Sequence, residues 1–170
     1  MEFTELIKAR YSVRKLQSKA VEADKLEAIL EAARVAPTAC NNQPQKLLVV
    51  QSAEAMAKLA KCTPFTFNAP LAIIVCVDMT ECWERPFDGN KSGEVDAAIV
   101  GTHIVLKVAE LGLGTTWVGY FDPAKVKAQF ALPDTLVPVA VFPIGYPASD
   151  AAPAAFHTQR KPLEETVQYL

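Results

Sequence analysis

Residues 94 to 111 (EVDAAIVGTHIVLKVAEL) constrain the fold more than any other stretch of the chain. Val95, Ala98, Ile99, Thr102, Val105, Leu106 and Ala109 recur at helical spacing and form a broad apolar face. So few charges interrupt the segment that a helix here has to be buried nearly all round, centrally or at a subunit interface. Gly112 or Gly114 can end it. Asp96 and Glu110 are expected at its solvated edges, and His103 reads as a hydrogen-bonded core residue.

Around that helix the other elements follow from local pattern. Residues 24 to 34 place Leu26, Ile29, Leu30 and Ala33 on one helical face, and Pro37 stops the helix. Leu47 to Val50 and the β-branched run Leu71 to Val77 (LAIIVCV) read as strands. Ser52 caps a helix running to Leu59, and Asp122-Pro123 starts another that ends near Phe130. Leu136 to Ile144 is a further strand, with Pro138 and Pro143 placing its ends at an edge or bend. The tail from Pro147 to Leu170 has little periodicity before Leu163 and is expected to lie across a surface. Mixed strands and helices over 170 residues, undivided by a linker or repeat, predict a single α+β domain, residues 1–170, with a central sheet.

The bulk numbers narrow the function. A formal charge of −2 gives no basic field for nucleic acid. No run reaches the roughly eighteen apolar residues of a membrane span. The start, MEFTELIKAR, lacks the apolar core of a signal peptide. A cytoplasmic location is therefore expected. Cys40, Cys62, Cys76 and Cys82 contain no C-x-x-C pair, and there are only two histidines. Those spacings support neither a disulfide framework nor a metal site, and the thiols read as buried and reduced.

Chemistry-bearing residues concentrate at three places. In Arg10-Tyr11-Ser12-Val13-Arg14 an extended backbone would turn Arg10, Ser12 and Arg14 to one side. That row spans roughly 13 Å and suits an elongated anion. Arg160 and Lys161 add cations near the other end. Between them, Asn41-Asn42-Gln43 offers amide donors and acceptors suited to a heteroaromatic edge. There is no G-x-G-x-x-G, P-loop, G-x-S-x-G or H-E-x-x-H, so any catalysis falls to a cofactor.

Four stretches, in this order, make the chain resemble the nitroreductase family of FMN-dependent oxidoreductases in its short single-domain form. They are Arg10 to Arg14, Ala36-Pro37-Thr38-Ala39-Cys40-Asn41-Asn42-Gln43-Pro44, Leu111-Gly112-Leu113-Gly114-Thr115-Thr116-Trp117-Val118-Gly119, and Arg160-Lys161-Pro162-Leu163. The resemblance implies a central, mostly antiparallel sheet flanked by helices, and an intertwined homodimer with FMN at the subunit interface. It implies that Arg10 and Ser12, helped by Arg160 and Lys161, hold the FMN phosphate, that Tyr11 also belongs to the cofactor site, and that Arg14 meets the pyrimidine end of the ring. Pro37, Thr38, Ala39, Asn41 and Gln43 are implied to reach the flavin of the other subunit, and Trp117, Val118 and Gly119 to lie beside its N5 edge. NADH or NADPH would be the donor and a nitroaromatic, quinone or similar conjugated compound the acceptor, with no catalytic side chain required. Thr38-Ala39-Cys40 and Gln45 depart from the common pattern, which bears on substrate contacts more than on flavin binding. A flavin carrier or sensor with little turnover, a dehalogenase or enoate reductase on the same scaffold, and a structural dimerisation domain stay open. So do simpler roles: Asn41 and Gln43 satisfying their loop, Trp117 as a core aromatic, and Trp83 and Phe87 as loop packing.

Overall fold

A computed structural model describes residues 2–170. Five helices are α1 (Phe3–Ala9), α2 (Ala23–Arg34), α3 (Ala53–Ala60), α4 (Gly93–Glu110) and α5 (Pro123–Phe130). Four strands, β1 (Gln45–Val50), β2 (Leu71–Asp78), β3 (Gly114–Thr115) and β4 (Leu136–Gly145), form one antiparallel sheet in the order β1-β2-β4-β3. This is the α+β, antiparallel arrangement that the sequence implies.

The continuous apolar run of β2 has a direct cause. Alternate side chains of a strand face opposite ways. Leu71, Ile73, Val75 and Val77 pack beneath α2 and α4, while Ala72, Ile74 and Cys76 pack with α3 and α5 on the other face. Both faces of β2 are covered from Leu71 to Val77, which are all apolar, and the polar Asp78 comes only at its half-buried end. Each fully buried aliphatic side chain here contributes about 1.5–3 kcal/mol.

Capping follows the sequence closely. Ser52 Oγ accepts from the Ala55 amide, and Asp122 accepts from the Lys125 amide with Pro123 at the first helical position. Strand β4 differs from expectation. It lies inside the sheet, between β2 and β3, with both prolines at irregular points. Pro138 sits opposite Cys76 where the register slips by one residue, a bulge that tolerates a missing amide. Val141 exchanges both backbone bonds with Val118. Pro143, two residues on, therefore presents its missing donor to the same side. That is where Thr116 and Trp117 leave the sheet between Val118 and β3.

Helix α4 also differs from expectation. Its buried stripe is Gly93, Asp96, Ala97, Val100, Gly101, Ile104 and Val108. The face picked out by its hydrophobic spacing turns outward in the protomer: Val95 is 61% exposed, while Ile99, Val105 and Leu106 are half-buried. Gly101 interrupts the buried side because large neighbours fill its space. A side chain at Gly101 would lie 2.5 Å from the Trp117 ring and 2.7 Å from Phe142. The tail is exposed beyond Phe156 apart from a half-buried His157, and Leu163–Glu165 makes one short 3-10 turn. No helix among the described residues is long and apolar enough to cross a membrane.

Candidate active site

The Arg10–Arg14 segment is built into the sheet edge. Helix α1 ends at Ala9, and the chain runs extended so that the Val13 amide donates to Thr115 O at 2.9 Å. Val13 is buried against Gly114, where any side chain would come within 2.9 Å of it. That contact makes glycine necessary at 114. With Val13 pointing inward, Arg10 and Ser12 turn into a groove of about 420 Å³ shared with Thr102, Thr115, Thr116 and Trp117.

Arg14 leaves that row. It lines an adjacent groove of about 240 Å³ with Phe65, Phe67, Val118, Gly119 and Tyr120. Thr116 and Trp117 line both grooves, so they form the ridge between them. Arg14 Nη1 also reaches back to Ser12 O at 3.4 Å. No carboxylate lines either groove. The field is therefore positive, and the neutral donors are side-chain hydroxyls and the Trp117 indole N–H. Thr115 Oγ1 is buried without a hydrogen-bond partner beside Arg10 and Ser12, a position where an unmet polar atom costs about 1–3 kcal/mol.

Trp117 proves to be both a packed aromatic and a groove wall. Its ring meets Phe142 edge-on at 5.0 Å, yet 41% of the residue stays exposed. At Gly119 an added side chain would meet nothing nearer than Trp117 Nε1 at 4.0 Å. Packing within the protomer does not demand glycine there, and the space beside it is open. Tyr11 turns away from Arg10 and Ser12, its ring against His157 at 6.1 Å.

The other anticipated residues lie elsewhere in the protomer. Arg160 donates to the carbonyls of His157 and Gln159, both at 2.7 Å, and Lys161 pairs with Glu165 at 3.7 Å. Neither lines the groove of Arg10 and Ser12. The Pro37–Gln43 loop is likewise outside both grooves. It is tightly formed: Cys40, Asn41 and Gln43 adopt positive φ near 50°, strained for such residues. Thr38 Oγ1 accepts from the Gln43 amide, and the Asn42 side-chain amide donates to Glu81 O.

What fixes this loop is Asp96, which is 1% exposed rather than at a solvated edge. Asp96 Oδ1 accepts from the Ala39 amide at 2.8 Å, and Oδ2 accepts from Ser92 Oγ at 2.6 Å. The carboxylate sits in the first turn of α4, where the helix dipole favours negative charge. Burial and the nearby Asp96 charge push the Cys82 thiol up, and burial pushes Cys76 up to about 12. Burial likewise raises Cys62. None of these three thiols is activated, while Cys40 is exposed, contrary to its reading as a buried thiol. Phe65, Phe67, Tyr120 and Asp96 are the site residues the sequence reading missed. Only the alternate aromatics of Phe65-Thr66-Phe67 offered a signal.

The fold and these grooves can be set beside known proteins. A model of the nitroreductase family matches residues 7–63 and 60–146. The chain belongs to that family. A nitroreductase family protein from Clostridium difficile 630 has a crystal structure with TM-score 0.93 and 44% identity, covering 99% of this chain and 98% of its own. A protein of Methanothermobacter thermautotrophicus, named as an NADH dehydrogenase/NAD(P)H nitroreductase, is 32% identical over 88% of this chain and 80% of its own. The FMN-dependent nitroreductase of C. difficile R20291 matches with TM-score 0.74 and 25% identity, over 94% and 98% of the two chains. The residues Arg10, Ser12, Arg14, Thr116 and Trp117 of the paired grooves lie within the stretch matched by the family model, whereas Arg160 and Lys161 fall beyond it.

Proposed function

We propose that this nitroreductase-family protein is an FMN-dependent NAD(P)H oxidoreductase reducing nitroaromatic, quinone or similar conjugated acceptors. The observation that carries this reading is the pair of acid-free grooves joined at Thr116 and Trp117, with Arg10 and Ser12 in one and Arg14 in the other. Their residues fit the cofactor's two ends. Arg10 and Ser12 would hold the phosphate, and the buried Thr115 hydroxyl supplies an unmet polar atom beside them. Arg14 places a fixed cation at the ring end, which favours negative charge there and raises the redox potential. The open space at Gly119 admits a planar ring against the backbone.

FMN, when bound, supplies two-electron transfer between donor and acceptor. Donor and acceptor then use the cleft in turn, giving ping-pong kinetics. Trp117 and Val118 keep the wall rigid through Phe142 and Val141. We place the active form as a homodimer. Helix α1 and the outward face of α4 leave Phe3, Ile7 and Val95 exposed, an apolar surface that a second copy would cover. In that dimer the Pro37–Gln43 loop and the Arg160-Lys161 tail act on the other copy's grooves, since neither reaches its own. A reducing, cytoplasmic setting suits four unpaired cysteines.

The test is direct. Purified protein should be yellow, bind FMN with quenching of flavin fluorescence, and bleach rapidly with NADH or NADPH under anaerobic conditions. A colourless protein without FMN affinity overturns the proposal. Retained flavin that bleaches very slowly would assign a carrier role instead.

A further inference from the structure

A third groove shares only Gly119 and Tyr120 with Arg14's groove. About 540 Å³ opens between the end of α3 and the start of α5, with Lys61, Thr63, Tyr120 and Lys125 on its walls. Gly119 and Tyr120 also line Arg14's groove, so the two depressions adjoin along that backbone.

Its chemistry is specific. Lys61 makes no ion pair among the described residues, and Lys125 lies 3.7 Å from Asp122. That carboxylate is itself engaged, one oxygen accepting the Lys125 amide as the cap of α5. Tyr120 is 74% exposed, with the Phe65 ring edge-on at 5.5 Å. The ring therefore stands as a supported platform rather than a packed core residue. Thr63 is buried, its hydroxyl donating to Tyr120 O at 2.7 Å and accepting from the Phe65 amide. This fixes the platform relative to both lysines. A flat aromatic surface sharing one groove with two lysines, beside Arg14's groove, matches a ligand with a base and several phosphates.

We infer that this groove is the subsite for the adenylyl and phosphate half of the dinucleotide donor, with the nicotinamide half lying in Arg14's groove. The inference rests on the oxidoreductase reading above and adds the place where the donor is gripped. Lys61 and Lys125 meet phosphates and Tyr120 stacks on the adenine. An acceptor needs only the cleft itself, so the two substrates differ in whether they use this groove.

The test uses the FMN-loaded protein and the Lys61→Ala/Lys125→Ala double variant. Both lysines are exposed, so the fold is not at stake. Three donors are compared: NADPH, NADH, and reduced nicotinamide mononucleotide, which lacks the adenylyl half. KM for both dinucleotides should rise about tenfold. KM for the mononucleotide, KM for the acceptor and flavin content should stay unchanged. An equal rise for all three donors, no rise for any, or a rise in the acceptor's KM overturns the subsite. Failure of the wild-type protein to bind FMN would instead break the underlying reading.

Discussion

Two cationic stretches near opposite ends of the chain look equally suited to a phosphate, yet the fold treats them differently. Arg10 and Ser12 sit on backbone tied to β3 through the Val13–Thr115 bond and the Val13–Gly114 contact. Arg160 lies on an exposed tail and spends its guanidinium on two carbonyls of its own segment. A charge on pre-ordered backbone binds without further entropy cost, whereas the tail has to be ordered when it binds. If both stretches bind the same phosphate, the first should do so within one protomer and the second only where another body orders it.

The largest effect should break this comparison if it is wrong. Arg10→Ala is expected to weaken FMN binding about 100-fold, the loss of a charge-assisted contact of about 2–3 kcal/mol. Arg160→Ala should weaken it less, and its effect should vanish at protein concentrations low enough to dissociate the dimer. Fluorescence titrations across a range of protein concentration measure both. Equal, concentration-independent losses would show that the tail folds onto its own groove.

Next in size is Asp96→Asn. The amide keeps one acceptor for Ala39 or for Ser92 but cannot serve both as the carboxylate does. A destabilisation of about 1–3 kcal/mol is expected, with weaker FMN binding once the Pro37–Gln43 loop loosens. Denaturant midpoints and the same titration check it. Unaltered FMN affinity despite lost stability would separate the loop from the cofactor.

Asp96 also shows what a sequence conceals. The strand β2 and the Ser52 and Asp122 caps were legible because each rests on local pattern. The facing of α4 was not. Val95, Ile99, Val105 and Leu106 turn outward or stay half-buried while Val100, Ile104, Val108, Gly101 and Ala97 point in, so hydrophobic spacing identified the open face as the buried one. A lone aspartate in a helix reads as solvated, and only the fold reveals Ser92 and the Ala39 amide around it. The Arg10-Ser12-Arg14 row was read correctly in its alternation up to Ser12. The ridge of Thr116 and Trp117 that sends Arg14 into a second groove comes from a segment a hundred residues away. Pro143 similarly marks a departure from the sheet that depends on which strand lies beside it.

The separation of Arg14 from Arg10 sharpens the comparison within the ordered stretch itself. Arg14→Ala should keep FMN but lower its midpoint potential by about 20–30 mV, equivalent to roughly 1 kcal/mol for two electrons. Anaerobic redox titration reads the shift, and stronger loss of FMN than in Arg10→Ala would reverse the assignment of the two ends.

The smallest effect concerns the strap that keeps the ordered stretch in place. Gln17 donates its amide to Tyr146 O. The Tyr146 hydroxyl donates to Glu22 at 2.7 Å and accepts from Lys25 at 2.7 Å, with Lys19 over the ring at 4.1 Å. The bond from Tyr146 holds the Glu22 carboxyl down at about 2, below its ordinary 4.5. A depressed folded-state pKa means the unfolded chain takes up the proton first as pH falls. Glu22 thus contributes stability fully above about 4.5 and loses it between there and about 2. Because the carboxylate is exposed, the contribution is small and salt weakens it. Glu22→Gln should leave the melting temperature near neutral pH slightly lower and flatten its fall between pH 5 and 2. The two melting curves should converge at the acid end. If the variant keeps the full wild-type slope, the strap is not where this stretch is held.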